Sequence, residues 1–200
     1  MGDAGHYFTA EPGVSSRVAT VRLDLPDRSM VLTTDRGVFS GERVDPGTKY
    51  LLLDAPPPPA AGTFVDLGCG YGPIACTLAA RAPSASVWAV DVNRRAVDLC
   101  ARNARALGLG NVRAVEVTEV PADLQVDLLW SNPPIRIGKP ALHRLLTSWL
   151  DRLTPTGRAV LVVQKHLGAD SLQRWLGEQG WTVRRLGSRT GYRLLQVDRP

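Results

Sequence analysis

Apolar and polar residues near the amino terminus alternate with the period of a β-strand. The two alternating sets are Val18, Thr20, Arg22 and Asp24 on one face, and Ala19, Val21, Leu23 and Leu25 on the other. Successive side chains of a strand point to opposite faces, so this pattern predicts a strand. Turn residues at 26–29 and an apolar run at 30–34 complete a β-hairpin within residues 17–39.

A short helix is predicted after the hairpin. Residues 35–37 read Asp-Arg-Gly and form a second turn. Asp45 suits the N-cap of a helix and Pro46 suits its first position, so the helix is expected to run from there through Leu53. The prolines at 56–59 end this helix and form a stiff spacer.

From Thr63 onward, predicted strands alternate with predicted helices. The strands are expected at 63–67, 86–91, 112–117, 126–131, 158–164, 181–186 and 192–197, and the helices at 73–82, 94–107, 139–152 and 169–178. This alternation predicts an open α/β sheet with helices on both faces. No strong helix separates the last two strands, so we expect them to pair as an antiparallel hairpin at one edge.

These elements divide the chain into two parts. Residues 1–55 form an N-terminal extension, a hairpin and a short helix packed on the core, and residues 56–200 form the core domain. The composition, 44% hydrophobic and 22% charged, is that of an ordinary globular protein. The three cysteines have neither the paired number of a disulfide framework nor the spacing of zinc ligands: Cys69, Cys76 and Cys100. The three histidines are not spaced as a metal site either: His6, His143 and His166.

The location and partners follow from the charge and from two absences in the sequence. The first ten residues lack the pattern of a signal peptide, and no apolar run is long enough to span a bilayer, so we expect a cytoplasmic protein. The net charge is +5, mostly from arginine. A basic surface fits a polyanionic partner such as RNA, and equally fits a solvated surface with no nucleic-acid partner.

A glycine-rich loop follows the first strand of the core. Asp66 and Leu67 end that strand, and glycines follow at 68, 70 and 72 before a helix. Closely spaced glycines let the backbone approach a ligand, and the unpaired N–H groups at a helix start favour an anionic group. The spacing G-x-G-x-G is tighter than the dinucleotide fingerprint G-x-G-x-x-G. Asp66 is suited to a ligand ammonium group, which a dinucleotide lacks.

A second acid strengthens the case for a nucleoside ligand. Asp91 ends the next strand, about 20 residues beyond the loop. A carboxylate at that place can accept hydrogen bonds from both hydroxyls of a ribose. It can also cap the helix that starts near Arg94, and the two roles are compatible.

Candidate chemistry follows the fourth strand of the core. Asn132, Pro133, Pro134 and Ile135 come directly after the strand at 126–131, at the edge where open α/β sheets bind ligands. The prolines remove two N–H donors and leave nearby carbonyls free and rigidly aimed. The Asn132 side-chain oxygen and the Pro133 carbonyl would then present two acceptors to one amino group. Such acceptors stabilise positive charge that develops on an amine nitrogen as it attacks a methyl group.

In this order, the loop at 66–72, Asp91 and the segment 132–135 resemble the class I S-adenosylmethionine-dependent methyltransferases. More narrowly, the chain resembles the methyltransferase small domain family, which includes 16S rRNA guanine-N2 methyltransferases and single-domain archaeal relatives. The resemblance extends to residues 37–40 and 45–52 upstream, and to 191–193 near the end. It implies a Rossmann-like fold with a mostly parallel seven-stranded sheet, an antiparallel edge hairpin and an N-terminal β-hairpin extension.

The resemblance also implies roles for particular residues. The loop residues Asp66, Gly68, Cys69, Gly70 and Gly72 are implied to bind the methionine part of S-adenosylmethionine. Further cofactor contacts are implied at Asp91 for the ribose, at Glu116 for the adenine, and at Val92 and Asn132. The residues implied to hold and methylate the target amine are Asn132, Pro133, Pro134 and Ile135.

The expected substrate is a guanine in 16S rRNA, methylated on its N2 amine. Family members often carry a base-stacking aromatic after Asn-Pro-Pro, whereas this chain has Ile135, so Phe39 is the candidate for stacking. Lys139 and Lys165 are the preferred phosphate contacts. Two alternatives stay open: a methyltransferase acting on a protein glutamine or small amine, and a nicotinamide-dinucleotide oxidoreductase or nucleotide-binding module.

Overall fold

The computed structural model describes residues 15–40 and 43–200. Residues 1–14 lie outside the described residues. They include His6 and the first ten residues, in which no signal peptide is expected. None of the described helices combines the length and the apolar character needed to cross a membrane.

A separate two-stranded sheet precedes the core. Its strands, β1 (Ala19–Leu25) and β2 (Arg28–Thr34), pair antiparallel, with Val21 opposite Leu32. The inward side chains Leu23 and Leu32 are fully buried, as the alternating pattern predicts. Helix α1 (Pro46–Asp54) follows, and Asp45 caps it by accepting the Thr48 N–H at 2.9 Å. The predicted hairpin and helix are both confirmed.

The core is a seven-stranded sheet with helices on both faces. Its strands are β3 (Ala61–Leu67), β4 (Ser84–Asp91), β5 (Val112–Glu116), β6 (Val126–Ser131), β7 (Leu153–Gln164), β8 (Thr182–Arg189) and β9 (Tyr192–Asp198). The remaining helices are α2 (Pro73–Arg81), α3 (Arg94–Ala106), α4 (Lys139–Leu150) and α5 (Ala169–Glu178). The strand order is β5-β4-β3-β6-β7-β9-β8.

The pairing directions confirm the predicted fold class. Strands β3 to β7 pair parallel with one another, whereas β9 runs antiparallel to both β7 and β8. Two apolar clusters flank this sheet. Phe64 and Trp130 face the cluster that includes α1, α2, α3 and the hairpin, while Val65 and Leu129 face the cluster beneath α4 and α5. Alternate residues of each central strand therefore bury against opposite layers.

Strand β7 begins five residues earlier than the sequence indicates. The segment 154–157 reads Thr-Pro-Thr-Gly and lacks an apolar pattern, so sequence alone favours a turn there. In the structure Leu153 pairs with Val126, and the register shifts between Val126 and Leu128. The Thr154 hydroxyl donates to Asp127 Oδ1 at 3.1 Å, and Asp127 Oδ2 accepts the Thr63 N–H at 2.8 Å. Pairing with β6 thus extends a segment that has little strand propensity of its own.

One buried asparagine joins the hairpin to the core. Asn103, on α3, is 1% exposed. Its Oδ1 accepts the Thr33 N–H at 2.7 Å, and its Nδ2 donates to the carbonyls of Thr33 at 2.8 Å and Tyr71 at 2.7 Å. Asn103 therefore ties β2 both to α3 and to the turn that precedes α2.

The substitution Asn103→Ala is expected to lower the free energy of unfolding by about 2 to 4 kcal/mol, because it removes three hydrogen bonds and leaves buried backbone groups unpaired. Asn103→Asp is the matched variant, since it keeps the shape and one acceptor but turns a carboxylate oxygen toward two carbonyls. We expect it to destabilise the fold at least as much. Urea denaturation measures both, and losses below about 0.5 kcal/mol, the range of ordinary surface changes, would contradict the assigned role.

Candidate functional site

A cavity of about 260 Å³ opens at the carboxyl ends of the three central strands. Leu67, Gly68 and Gly70 line it from the loop after β3, residues 90–93 from the end of β4, and residues 132–136 from the segment after β6. Because β4, β3 and β6 are neighbours in the sheet, segments far apart in the chain meet here. The cavity thus joins the predicted cofactor loop to the predicted catalytic segment.

The loop after β3 is fastened to the end of β4. The N–H groups of Gly68 and Cys69 donate to the Val90 carbonyl at 2.8 and 3.0 Å, and the Gly70 N–H donates to Asp91 Oδ2 at 2.9 Å. These three N–H groups of the loop are therefore paired within the protein. At the start of α2, where unpaired N–H groups are expected, the Ala75 N–H donates to Asp66 Oδ2 at 2.9 Å. A Cβ on Gly68 would have nothing within 4 Å, so this glycine leaves open space beside the cavity.

Asp91 lines the cavity and shapes the loop beside it. Its Oδ2 accepts the Gly70 N–H, and its Oδ1 accepts the Asn93 N–H at 2.9 Å. Burial raises the pKa of Asp91 above its ordinary value, while these backbone hydrogen bonds lower it. The Val92 N–H also hydrogen-bonds this carboxylate, and the acceptor capacity that remains on its two oxygens is available to a ribose hydroxyl without releasing the loop. Val92 lines the cavity next to it.

Asp66 lies beneath the loop and does not line the cavity. It is fully buried, and its Oδ2 accepts the Ala75 N–H in the first turn of α2 at 2.9 Å. Its Oδ1 has no hydrogen-bond partner among the described residues. Burial raises the pKa of Asp66 to about 8, with the charge of Asp91 adding to the rise. A cation placed near Asp66 would favour its ionised form.

Three other predicted cofactor residues lie near the cavity without lining it. Cys69 lines a smaller neighbouring cavity of about 30 Å³. Gly72 caps α2, and a Cβ there would lie 2.6 Å from Cys100 Sγ, so it serves close packing. Glu116 has a carboxylate oxygen 3.9 Å from Arg94 Nε, and its successor Val117 lines the cavity instead. Their contacts with a cofactor stay predictions.

The Asn132 side chain, which follows β6, is held in one orientation at the cavity. Asn132 Nδ2 donates to Asp45 Oδ1 at 2.8 Å and to Thr48 Oγ1 at 3.1 Å. Within the part of the chain that the structure describes, no donor is seen on Asn132 Oδ1. The amide oxygen is therefore the end of this side chain that is left to accept a hydrogen bond from an occupant of the cavity.

The Pro133 carbonyl is not free, contrary to expectation. It accepts the Ile135 N–H at 2.8 Å across Pro134, whose φ of −74° and ψ of 71° define an inverse γ-turn. The bond occupies one lone pair and fixes the direction of the other, so one acceptor position remains on this oxygen. Pro133, Pro134 and Ile135 all line the cavity.

The predicted substrate residues fall into two groups. Phe39 lines the cavity with its side chain 45% exposed, as a stacking surface for an entering ring requires. Lys139 and Lys165 are exposed and lie outside the cavity lining, so their phosphate contacts stay predictions. Arg136 is the basic residue that lines the cavity. Among the described residues, no group of His, Cys, Asp and Glu side chains is arranged to hold a metal ion.

Three polar residues of the site are not predicted from the sequence. The sequence around Asp45 predicts a helix cap and gives no sign of the second hydrogen bond that Asp45 accepts, from Asn132. Asn93 donates from Nδ2 to the Gly37 carbonyl at 2.8 Å and thereby fixes the segment that carries Phe39 over the cavity. Tyr192 starts β9 and also lines the cavity. The roles of Asn93 and Asp45 in the site depend on long-range contacts, for which sequence spacing carries no signal.

Known proteins resemble this chain over most of its length. The sequence profile of the methyltransferase small domain family matches residues 29–196. The uncharacterized protein YbxB of Bacillus subtilis is 32% identical over 195 residues, covering 96% of this chain and 97% of that protein. The ribosomal RNA large subunit methyltransferase G of Photobacterium profundum is 31% identical over 77% of this chain. This chain covers 44% of that protein, so it spans less than half the length of this relative.

A solved structure shares the fold. The T. thermophilus 16S rRNA N2 methyltransferase RsmC, in complex with AdoMet and guanosine, superposes with a TM-score of 0.75 at 21% identity, covering 94% of this chain and 52% of that one. At this sequence identity the superposition shows a shared fold and nothing more. Together, the profile match over residues 29–196 and the full-length relative show that this chain belongs to the methyltransferase small domain family.

Proposed function

We propose that this chain methylates the exocyclic N2 amine of a guanine in 16S rRNA, with S-adenosylmethionine as the methyl donor. The observation that carries the proposal is the cavity that brings the loop after β3, Asp91 and Asn132 together. Relatives named as methyltransferases of the small and the large ribosomal subunit RNA support an rRNA substrate.

The cofactor-side residues fit S-adenosylmethionine. Asp91 supplies carboxylate acceptors for ribose hydroxyls, and the apolar side chains of Val92 and Val117 line the space beside it. Asp66 Oδ1 has no hydrogen-bond partner among the described residues, and an ammonium group bound near the loop would favour the ionised form of this buried carboxyl. The open space at Gly68 admits a ligand close to the backbone. When bound, S-adenosylmethionine supplies an electrophilic methyl group.

The substrate-side residues fit a planar amine. An exocyclic amine on a nucleobase is a weak nucleophile, because its lone pair is delocalised into the ring. Asn132 Oδ1 and the remaining lone pair of the Pro133 oxygen can each accept one amine hydrogen, which directs the nitrogen lone pair away from both. The same acceptors stabilise the positive charge that grows on nitrogen during transfer. The methylated nitrogen is then acidic enough to lose its proton to water.

The approach to the cavity fits a nucleobase on an RNA strand. Phe39 offers a ring face, Ile135 an aliphatic face and Arg136 a positive charge at the cavity. The net charge of the chain is +5, which favours a polyanion over a small neutral amine.

Incubation with methyl-labelled S-adenosylmethionine tests the proposed function. Small ribosomal subunits, free 16S rRNA, large subunits and a protein fraction are offered separately, and labelled RNA is digested to nucleosides. We expect the label in N2-methylguanosine from 16S rRNA. Label in large-subunit RNA or in another nucleoside would contradict the substrate, and label confined to protein would favour the glutamine or amine alternative.

The substitution Asn132→Ala is expected to keep the dissociation constant of S-adenosylhomocysteine within a few-fold and to reduce kcat by ~100-fold or more, the scale of losing an acceptor for transition-state charge. Asp91→Ala is the matched control and should weaken cofactor binding first. Isothermal titration calorimetry and steady-state kinetics give the two quantities. Equal losses of affinity and turnover in Asn132→Ala would show that Asn132 is structural.

The substitution Asp66→Asn tests the buried carboxyl through pH. The folded-state pKa of about 8 exceeds the ordinary value of 3.8, so the folded protein binds this proton more tightly and loses stability as the pH rises between those values. Asparagine keeps the acceptor for the Ala75 N–H and carries no charge. We therefore expect the melting temperature of the variant to increase relative to that of the wild type as the pH rises through this window. The variant should also bind S-adenosylhomocysteine more weakly than the wild type.

Thermal unfolding and calorimetry across the same pH range provide the measurements. Parallel stability profiles for the wild type and Asp66→Asn would contradict a raised pKa. An unchanged affinity would remove Asp66 from the cofactor site and leave it as a buried cap of α2.

A further inference from the structure

The amide of Asn132 is anchored by the first turn of α1, which lies in a distant part of the chain. Its Nδ2 donates to Asp45 Oδ1 at 2.8 Å and to Thr48 Oγ1 at 3.1 Å. A carboxylate accepts hydrogen bonds and has none to donate. The NH₂ end of the amide, and not its oxygen, must therefore face Asp45.

This anchoring decides which end of the amide the cavity receives. The two ends of an asparagine amide have nearly the same shape, so packing alone hardly distinguishes them. With Nδ2 committed to Asp45 and Thr48, the end left for an occupant is the acceptor, Oδ1. The flipped amide would present N–H donors to a target amine that is itself a donor, and would oppose the positive charge developing on it.

The anchor itself is rigid. Asp45 Oδ1 also accepts the Thr48 N–H at 2.9 Å, which closes the first turn of the helix. On the neighbouring position, a Cβ added to Gly47 would lie 2.5 Å from Tyr192 Cε1, so the turn is packed directly against β9. Leu51, one turn further on, is fully buried in the core.

We propose that Asp45 and Thr48 are positioning residues, which hold the Asn132 amide with its oxygen toward the acceptor amine. The inference rests on the proposed function and adds the N-terminal extension to the catalytic apparatus. Asp45 has two possible roles at this cavity. It can position the Asn132 amide through a hydrogen bond, or it can act through its charge, as a proton acceptor. Only the positioning role survives replacement by a neutral side chain of the same shape.

Asp45→Ala and Asp45→Asn separate these roles. Asp45→Ala is expected to lower kcat by ~10- to 100-fold through loss of alignment, with little change in S-adenosylhomocysteine affinity. Asp45→Asn keeps an oxygen for both Asn132 Nδ2 and the Thr48 N–H, so it should recover turnover to within a few-fold of the wild type. Since Asp45→Ala also removes a helix cap and weakens the fold, a second pair of variants is needed.

Thr48→Val and Thr48→Ser form that pair. Both keep the backbone N–H that Asp45 caps, but valine removes the Oγ1 acceptor at nearly constant shape whereas serine retains it. We expect a reduced kcat in Thr48→Val and a nearly wild-type value in Thr48→Ser. The side-chain amide resonances of Asn132 give a readout independent of activity, because loss of one acceptor should speed solvent exchange of its NH₂ group in Thr48→Val.

Either of two results would overturn the inference. One is Asp45→Asn as impaired as Asp45→Ala, which would assign the effect to charge. The other is Thr48→Val equal to Thr48→Ser in both kcat and amide exchange. Failure of the proposed function looks different, since the wild type would then form no N2-methylguanosine in 16S rRNA, while the exchange measurements on Asn132 still report on the anchor.

Discussion

The site depends on the adjacency of three parallel strands, β4, β3 and β6, in the middle of the sheet. Parallel neighbours end on the same edge, so the residues that follow them in sequence are brought together in space. This constraint places the loop after β3, the carboxylate of Asp91 and the amide of Asn132 around one cavity. The buried alternation of Val65 and Leu129 against one layer, and Phe64 and Trp130 against the other, fixes this register.

The segment after the hairpin and helix α1 add side chains to the cavity that opens at the edge of the sheet. The segment after the hairpin places Val38 and Phe39 over the loop, with the Gly37 carbonyl held by Asn93. Helix α1 brings Asp45 beside Asn132. The extension therefore contributes walls and orientation to a cavity whose floor is the sheet, and a description limited to the α/β core would leave the acceptor side incomplete.

Much of this arrangement was predictable from the sequence, because local patterns specify it. Strand periodicity, the glycine loop, the acid that ends β4 and the Asn-Pro-Pro segment all lie in continuous stretches. What escaped prediction depends on distant contacts. At the start of α2, where unpaired N–H groups are expected, the Ala75 N–H is bonded to Asp66, and the Pro133 carbonyl expected to be free accepts the Ile135 N–H. Asp45 was recognised as a cap only, since its bond to Asn132 spans 87 positions.

A crystal structure of the protein with S-adenosylhomocysteine and guanosine would show whether one cavity holds both ligands. We expect the ribose hydroxyls on Asp91 and the guanine amine within hydrogen-bonding distance of Asn132 Oδ1, with Asn132 Nδ2 still on Asp45. The two ligands in separate pockets, or an Asn132 amide turned so that its nitrogen faces the guanine, would contradict this expectation.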